Sequence, residues 1–155
     1  MDLNLKNKVA VVCGSTQGIG KATATELARL GASVVLVARN EEKLKEVAGE
    51  LDSTNGQKHS YIIADFSKPE ELKTTIESWA NAGNKVHILV NNTGGPKGGP
   101  IINAGIDEFY SAFNQHLICN HIMVQALSPI MKAEGGGRII NVISTSVKQP
   151  LHNLG

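Results

Sequence analysis

The sequence predicts an α/β fold, a doubly wound parallel sheet with helices on both faces. Three observations carry that reading. Short apolar runs alternate with helical segments along the whole chain, the pattern of a sheet assembled from βα units. The runs are nearly continuous in Val, Ile and Leu, as strands buried on both faces require. The first run leads straight into Cys13-Gly14-Ser15-Thr16-Gln17-Gly18-Ile19-Gly20 and then a helical segment. Strand, glycine turn and helix in that order cradle a phosphate. The glycines let backbone approach the ligand, and the helix start offers unpaired N–H groups and a positive dipole end.

Taken in order, residues 8–12 read as the first strand, and the helix that follows runs from about 18 to 30, stopped by Gly31. Residues 33–38 form a β-branched second strand. Residues 41–51 form an amphipathic helix with its acids early, which suits the helix dipole. A polar loop over 52–60 precedes a third strand at 61–64. Ser67-Lys68-Pro69-Glu70 reads as a capping box for a helix reaching about residue 82, with Gly83 as its stop. The fourth strand is expected at 86–90, followed by a Gly- and Pro-rich loop over 91–105. A long helix begins at Ile106 or Asp107 and reaches about residue 133. Gly135-Gly136-Gly137 breaks it, residues 138–143 give a fifth strand, and 144–155 are irregular. Right-handed crossovers between such units place a ligand crevice at the carboxyl ends of the strands.

A chain of 155 residues suffices for one domain with a sizeable core and is short for two. The formal net charge of +1 gives no electrostatic reason to expect nucleic acid or an anionic membrane as partner. No apolar run approaches the ~18–20 residues of a membrane span. Residues 1–8 are polar and lack an apolar signal core, so the expected location is cytoplasmic. Cys13 and Cys119 fall in a strand and a helix and read as buried free thiols. Asn91-Asn92-Thr93 fits the glycosylation pattern by coincidence in a chain without a secretory signal. No metal-ligand set stands out.

Four strand ends carry polar or glycine signals. The glycine turn reads as a Rossmann-type dinucleotide site or as a merely tight turn. The second strand ends in Ala38-Arg39-Asn40, nineteen residues after Gly20. A carboxylate at this point suits the ribose 2′-hydroxyl of NAD, whereas an arginine suits the 2′-phosphate of NADP. With no acid at Ala38, Arg39 favours NADP over NAD, its bland alternative being a solvated surface arginine. Asp65 ends the third strand, where it either accepts from an adenine amino group or caps the next helix. Asn91-Asn92-Thr93-Gly94-Gly95 ends the fourth, where Asn side chains can tie neighbouring strand ends together and glycines admit a ligand.

With these motifs in this order, the chain resembles the short-chain dehydrogenase/reductase family and is most similar to its 3-oxoacyl-carrier-protein reductase-like branch. The family's Thr-Gly-x3-Gly-Ile-Gly turn corresponds to residues 13–20, with Cys13 in place of the usual Thr. Its Asn-Asn-Ala-Gly corresponds to Asn91-Asn92-Thr93-Gly94, with Thr93 for Ala. Gly137-Arg138-Ile139-Ile140-Asn141-Val142-Ile143-Ser144 matches the fifth strand and its catalytic serine. The family's relay asparagine, which holds a water, falls at His116; Asn114 and Asn120 are near it but out of register. The resemblance thus implies cofactor binding by Gly14, Ser15, Thr16, Gln17, Gly18, Ile19, Gly20, Arg39, Asp65, Phe66, Asn91, Thr93 and Gly94, and catalysis by Ser144 and His116.

The family's chemistry interconverts a ketone or 3-oxoacyl group and an alcohol. A tyrosine moves the proton, the nicotinamide the hydride, and a lysine lowers the tyrosine's pKa. In the family that tyrosine follows the serine by about a dozen residues, so both it and the lysine fall beyond Gly155. Tyr61 and Tyr110 match neither role. The resemblance therefore implies a single domain over 1–155 that stops after the fifth strand of the family's sheet. These residues alone are expected to bind cofactor without turning over a ketone. A homodimer or homotetramer is implied, with helix 107–133 as its usual dimer face, and a small carbonyl, alcohol or acyl substrate. The alternative of a different class is a catalytically silent NADP-binding pseudoenzyme or redox sensor, which Cys13 and His116 favour. An unrelated mononucleotide-binding module is opposed by the Asn motif and by the Gly-Arg-Ile-Ile run leading to Ser144.

Overall fold

A computed structural model describes residues 3–149 and 151–152. The readings that touched residues 1–2, 150 and 153–155 lie outside the described residues. The strands are β1 (Val9–Cys13), β2 (Ser33–Ala38), β3 (Ser60–Ile63), β4 (Ile88–Asn91) and β5 (Arg138–Asn141). They form one parallel sheet in the order β3-β2-β1-β4-β5. The order runs outward from β1 to β3, then jumps back across β1 to β4. That reversal opens a crevice between the carboxyl ends of β1 and β4.

Alternation along each strand sends side chains to opposite faces. Val11, Cys13, Val35, Val37 and Leu89 pack on one face against α3 (Pro69–Asn81) and α5 (Cys119–Ala133), chiefly through Leu72, Ile76, Met123 and Leu127. Val12, Val34, Leu36 and Val90 pack on the other against α1 (Gly18–Arg29) and α2 (Glu41–Glu50), through Ala24, Ala28, Leu44 and Val47. Each fully buried Leu or Ile here contributes roughly 1.5–3 kcal/mol. Two helices on each face is the doubly wound arrangement read from the sequence. Cys13 and Cys119 are both buried and free. Burial pushes their thiols up, to about 12 and about 11, so neither is a ready nucleophile.

Two expectations need correction. Ser67 does not cap α3. Pro69 restricts the residue before it to extended backbone, and Lys68 is accordingly the N-cap, at φ −127° and ψ 77°, with no side-chain cap bond. Ser67 lies one residue too early, and its N–H and hydroxyl both turn to Asp65 Oδ1, at 2.9 and 2.8 Å. The long helix is also not uniform. After α4 (Ile106–Phe113) comes a π-turn, Asn114–Ile118, in which the Cys119 N–H bonds the Asn114 carbonyl, and then α5. The two helices on either side of the π-turn differ in burial. None of α4 is buried, whereas α5 buries Cys119, Ile122, Met123, Leu127 and Met131.

At the amino ends of the strands, histidines replace backbone acceptors. His59 Nδ1 accepts the Val34 N–H, and His87 Nδ1 accepts the Val9 N–H, each at 3.1 Å. Burial holds the His87 imidazole below its ordinary value of 6.5; Lys8 and Lys85 push the same way and Glu134 opposes them. The unfolded chain therefore takes up this proton first as pH falls. His87 contributes stability that is present above about pH 6.5 and lost as pH falls through the folded value. His87→Asn keeps an acceptor near the Nδ1 position without the titration. Urea midpoints of this variant are expected to fall less between pH 7 and 5 than those of the wild type. Equal falls would place the acid sensitivity elsewhere.

Candidate functional site

The site is built around the turn between β1 and α1. Gly14 takes φ +59°, and its N–H donates to the Val37 carbonyl at 2.9 Å, tying the turn to β2. The turn folds back on itself so tightly that a Cβ on Gly20 would lie 2.1 Å from the Gly14 carbonyl oxygen. Asn92, just after β4, straps it from the other side. Its Nδ2 donates to the carbonyls of Cys13 at 3.2 Å and Gly14 at 3.4 Å. Gln17, the N-cap of α1, makes no side-chain cap bond, and the first turn carries no acid. The first N–H groups of α1 are therefore without a side-chain cap, beside a positive dipole end. This is the local chemistry of an anion cradle.

The turn forms one wall of a cavity of about 610 Å³. Gly14 and residues 16–19 supply that wall; residues 37–40 and Lys43 supply the second, residues 64–67 the third, and residues 92–95 with Gln115 the fourth. Its charge is uneven. Glu41, in the first turn of α2, is drawn to Lys45 at 2.8 Å and to the Tyr61 hydroxyl at 3.2 Å. Arg39 and Lys43 form no ion pair among the described residues. Two unpaired cations thus stand at one end. Asp65 is the cavity's acid. Burial pushes its carboxyl up, but the Ser67 N–H and hydroxyl, with Arg39 and Lys68 nearby, hold it below its ordinary value. It is ionised at neutral pH and accepts hydrogen bonds.

The structure brings together Gly14, Thr16, Gln17, Gly18, Ile19, Arg39, Asp65, Phe66, Thr93 and Gly94 as cavity lining. Ser15 and Gly20 are buried behind the turn, Ser15 Oγ 3.5 Å from the Val37 carbonyl. Asn91 is fully buried, and its Nδ2 donates to Asn141 Oδ1 at 2.8 Å, joining β4 to β5. His116 sits behind Thr93, with Nδ1 2.8 Å from Thr93 Oγ1. Ser144 caps the short turn Thr145–Val147; its Oγ lies 2.6 Å from Ser146 Oγ and accepts the Ser146 N–H. Neither His116 nor Ser144 lines the cavity. Sequence reasoning passed over Asn92, Lys43, Ser67 and Gln115 as site residues. Asn92 lay in a quoted motif, and alternation after a buried Asn91 would have singled it out. Lys43 lies in the first turn of α2, four residues after Arg39. Nothing in the sequence marks Gln115. Among the described residues no group of three His, Cys, Asp or Glu side chains is placed to hold a metal ion, and no helix is long and apolar enough to cross a membrane.

A tight glycine turn at the switch point, open helix donors and a cation pair at the end of β2 define a dinucleotide-binding α/β protein. The family profile for short chain dehydrogenases matches residues 8–155. The chain belongs to that family. It is 35% identical over 141 residues to the 7alpha-hydroxysteroid dehydrogenase of Clostridium sardiniense, covering 89% of this chain and 53% of that protein. It is 36% identical over 147 residues to the inactive hydroxysteroid dehydrogenase-like protein 1 of Homo sapiens, covering 94% of this chain and 44% of the relative. Among solved structures, L-sorbose reductase from Gluconobacter frateurii, complexed with NADPH and L-sorbose, superposes with a TM-score of 0.88 at 34% identity. That match covers 97% of this chain and 57% of the reductase. The chain spans about half the length of these relatives.

Proposed function

We propose that this chain binds the cofactor of an NADP(H)-dependent oxidoreductase reaction, which interconverts a ketone, or a 3-oxoacyl group, and an alcohol. The observation that carries the reading is the unpaired pair Arg39 and Lys43 at the end of the cavity, where α2 has sent Glu41 elsewhere. A 2′-phosphate fits that end, and the bare ribose of NAD leaves both cations unmatched. The pyrophosphate takes the N–H groups of the turn, and Asp65 accepts from the adenine amino group. When bound, the nicotinamide supplies or takes a hydride. Ser144 orients the substrate oxygen once its hydroxyl leaves Ser146.

The substrate class is inferred from relatives whose names describe hydroxysteroid and sorbose chemistry; the 3-oxoacyl option follows from the sequence resemblance alone. Exposed Ile106, Phe109, Tyr110 and Phe113 on α4 support a homodimer or homotetramer, and two free buried thiols suit the cytoplasm. A second reading, a catalytically silent NADP-binding protein of the same fold, is favoured by one specific observation. Both expected catalytic side chains lie outside the cavity lining and are engaged in hydrogen bonds, Ser144 with Ser146 and His116 with Thr93.

Arg39→Asp tests the cofactor assignment. It removes a charge-assisted contact worth about 1.5–3 kcal/mol, so NADPH affinity is expected to fall about 10- to 150-fold while NADH affinity changes little. Titration of both cofactors by fluorescence measures this. Equal losses for the two would show that Arg39 does not read the 2′-phosphate.

A further inference from the structure

The fourth wall of the cavity joins two stretches that regular secondary structure does not hold together. One is the loop after β4, where residues 92–98 form no helix or strand and include Gly94, Gly95 and Gly98. The other is the π-turn that carries Gln115 and His116. Among the described residues two polar side-chain tethers hold residues 93–98. One is the exposed pair Lys97–Glu108 at 3.3 Å; the other is the partly buried bond between Thr93 Oγ1 and His116 Nδ1 at 2.8 Å. Thr93 is His116's one side-chain partner there, because His116 Nε2 is buried without a partner. The orientation of the imidazole therefore depends on the Thr93 hydroxyl, and the seat of the loop depends on the imidazole.

We propose that Thr93 and His116 are a positioning pair: their hydrogen bond seats the loop after β4 on the π-turn and sets the spacing of the cavity wall between Thr93–Gly95 and Gln115. His116 acts through Thr93 and does not touch the reacting atoms. The ligand in question is the dinucleotide proposed above, and the affinity arm of the test rests on that reading. The π-turn is part of the device, because it carries both Gln115 and His116.

The test is a double-mutant cycle on the full 155-residue chain, reading NADPH affinity, urea midpoint and the imidazole 15N spectrum. Thr93→Val keeps the shape and removes the hydroxyl; Thr93→Ser keeps the hydroxyl; His116→Phe removes both ring nitrogens. Thr93→Val and His116→Phe are each expected to weaken NADPH binding about three- to tenfold. Thr93→Ser is expected to stay within about twofold of wild type, and the double variant to bind no more weakly than the worse single. The His116 ring is expected to show one tautomer in the wild type and Thr93→Ser, and an averaged spectrum in Thr93→Val. An unchanged ring spectrum in Thr93→Val, or losses that multiply in the double variant, overturns the pairing. If the wild type binds no dinucleotide, the cofactor reading fails by itself, and the ring spectrum still decides the pair.

Discussion

Gly20→Ala is expected to lower the thermal midpoint by about 6–12 °C and to weaken dinucleotide binding at least about 100-fold. Gly20 is buried in the first turn of α1, and a Cβ there would meet the Gly14 carbonyl at 2.1 Å to oxygen and 2.7 Å to carbon, with Asn92 Nδ2 at 2.9 Å. Backbone cannot swing aside as a side chain does. Asn92 is itself bonded to the Cys13 and Gly14 carbonyls, so it yields only by releasing the turn. Overpacking of this kind costs about 3 kcal/mol at its upper end, and about 2–4 °C per kcal/mol applies at this chain length. The binding loss follows from geometry. Opening the turn moves the N–H groups off the phosphate, and two charge-assisted bonds lost amount to about 3–6 kcal/mol. Gly18 supplies the contrast. At φ +54° with nothing within 4 Å of its Cβ position, Gly18→Ala carries only the left-handed backbone cost of roughly 1–2 kcal/mol. Calorimetric melts and NADPH titration of the two variants separate crowding from backbone strain. A Gly20→Ala protein that melts and binds like wild type would falsify the account of the turn.

The glycine spacing was legible in the sequence because residue type alone marks it; the reason for it was not. Gly14 and Gly20 are six residues apart, and their mutual contact arises only when α1 packs back over the turn. Strands β1, β2 and β4 were legible because burial on both faces leaves little but Val, Ile, Leu and Ala at their centres, whereas β5 is exposed along its length and showed only through its Ile139-Ile140 pair. What escaped depended on one-residue differences in register. Ser67 satisfied a capping pattern, but Pro69 started the helix one residue later than the pattern required. The π-turn escaped because Phe109, Phe113 and Leu117 continue a helical spacing on an exposed face, where no burial constraint reveals the inserted residue. The partnership of Thr93 and His116 spans 23 residues, and no local pattern signals it.

Register also governs the asparagines after β4, and Asn91→Asp is the variant that reads it out. Asn91 is fully buried and paired with Asn141 across the β4–β5 ladder, where the two residues are direct neighbours. A carboxylate in this place loses the Nδ2 donor and faces the Asn141 oxygen with no cation to balance it. An uncompensated buried charge costs about 3–5 kcal/mol, so the variant is expected to be destabilised by that much at pH 7. The carboxylic acid, in contrast, can donate its O–H to Asn141 Oδ1 and restore the bond. The folded variant therefore holds this proton to higher pH than the unfolded chain, which releases it near about 3.9. With fewer protons bound in the unfolded state, stability falls as pH rises above that value. The difference between wild type and Asn91→Asp in urea is expected to be smallest near pH 4 and to widen towards pH 7. This slope is opposite to the one His87 imposes on the whole chain, so subtracting the wild-type curve isolates it. A difference that stays flat across this range would mean that water reaches residue 91, and that the joint between β4 and β5 is open where the fold requires it closed.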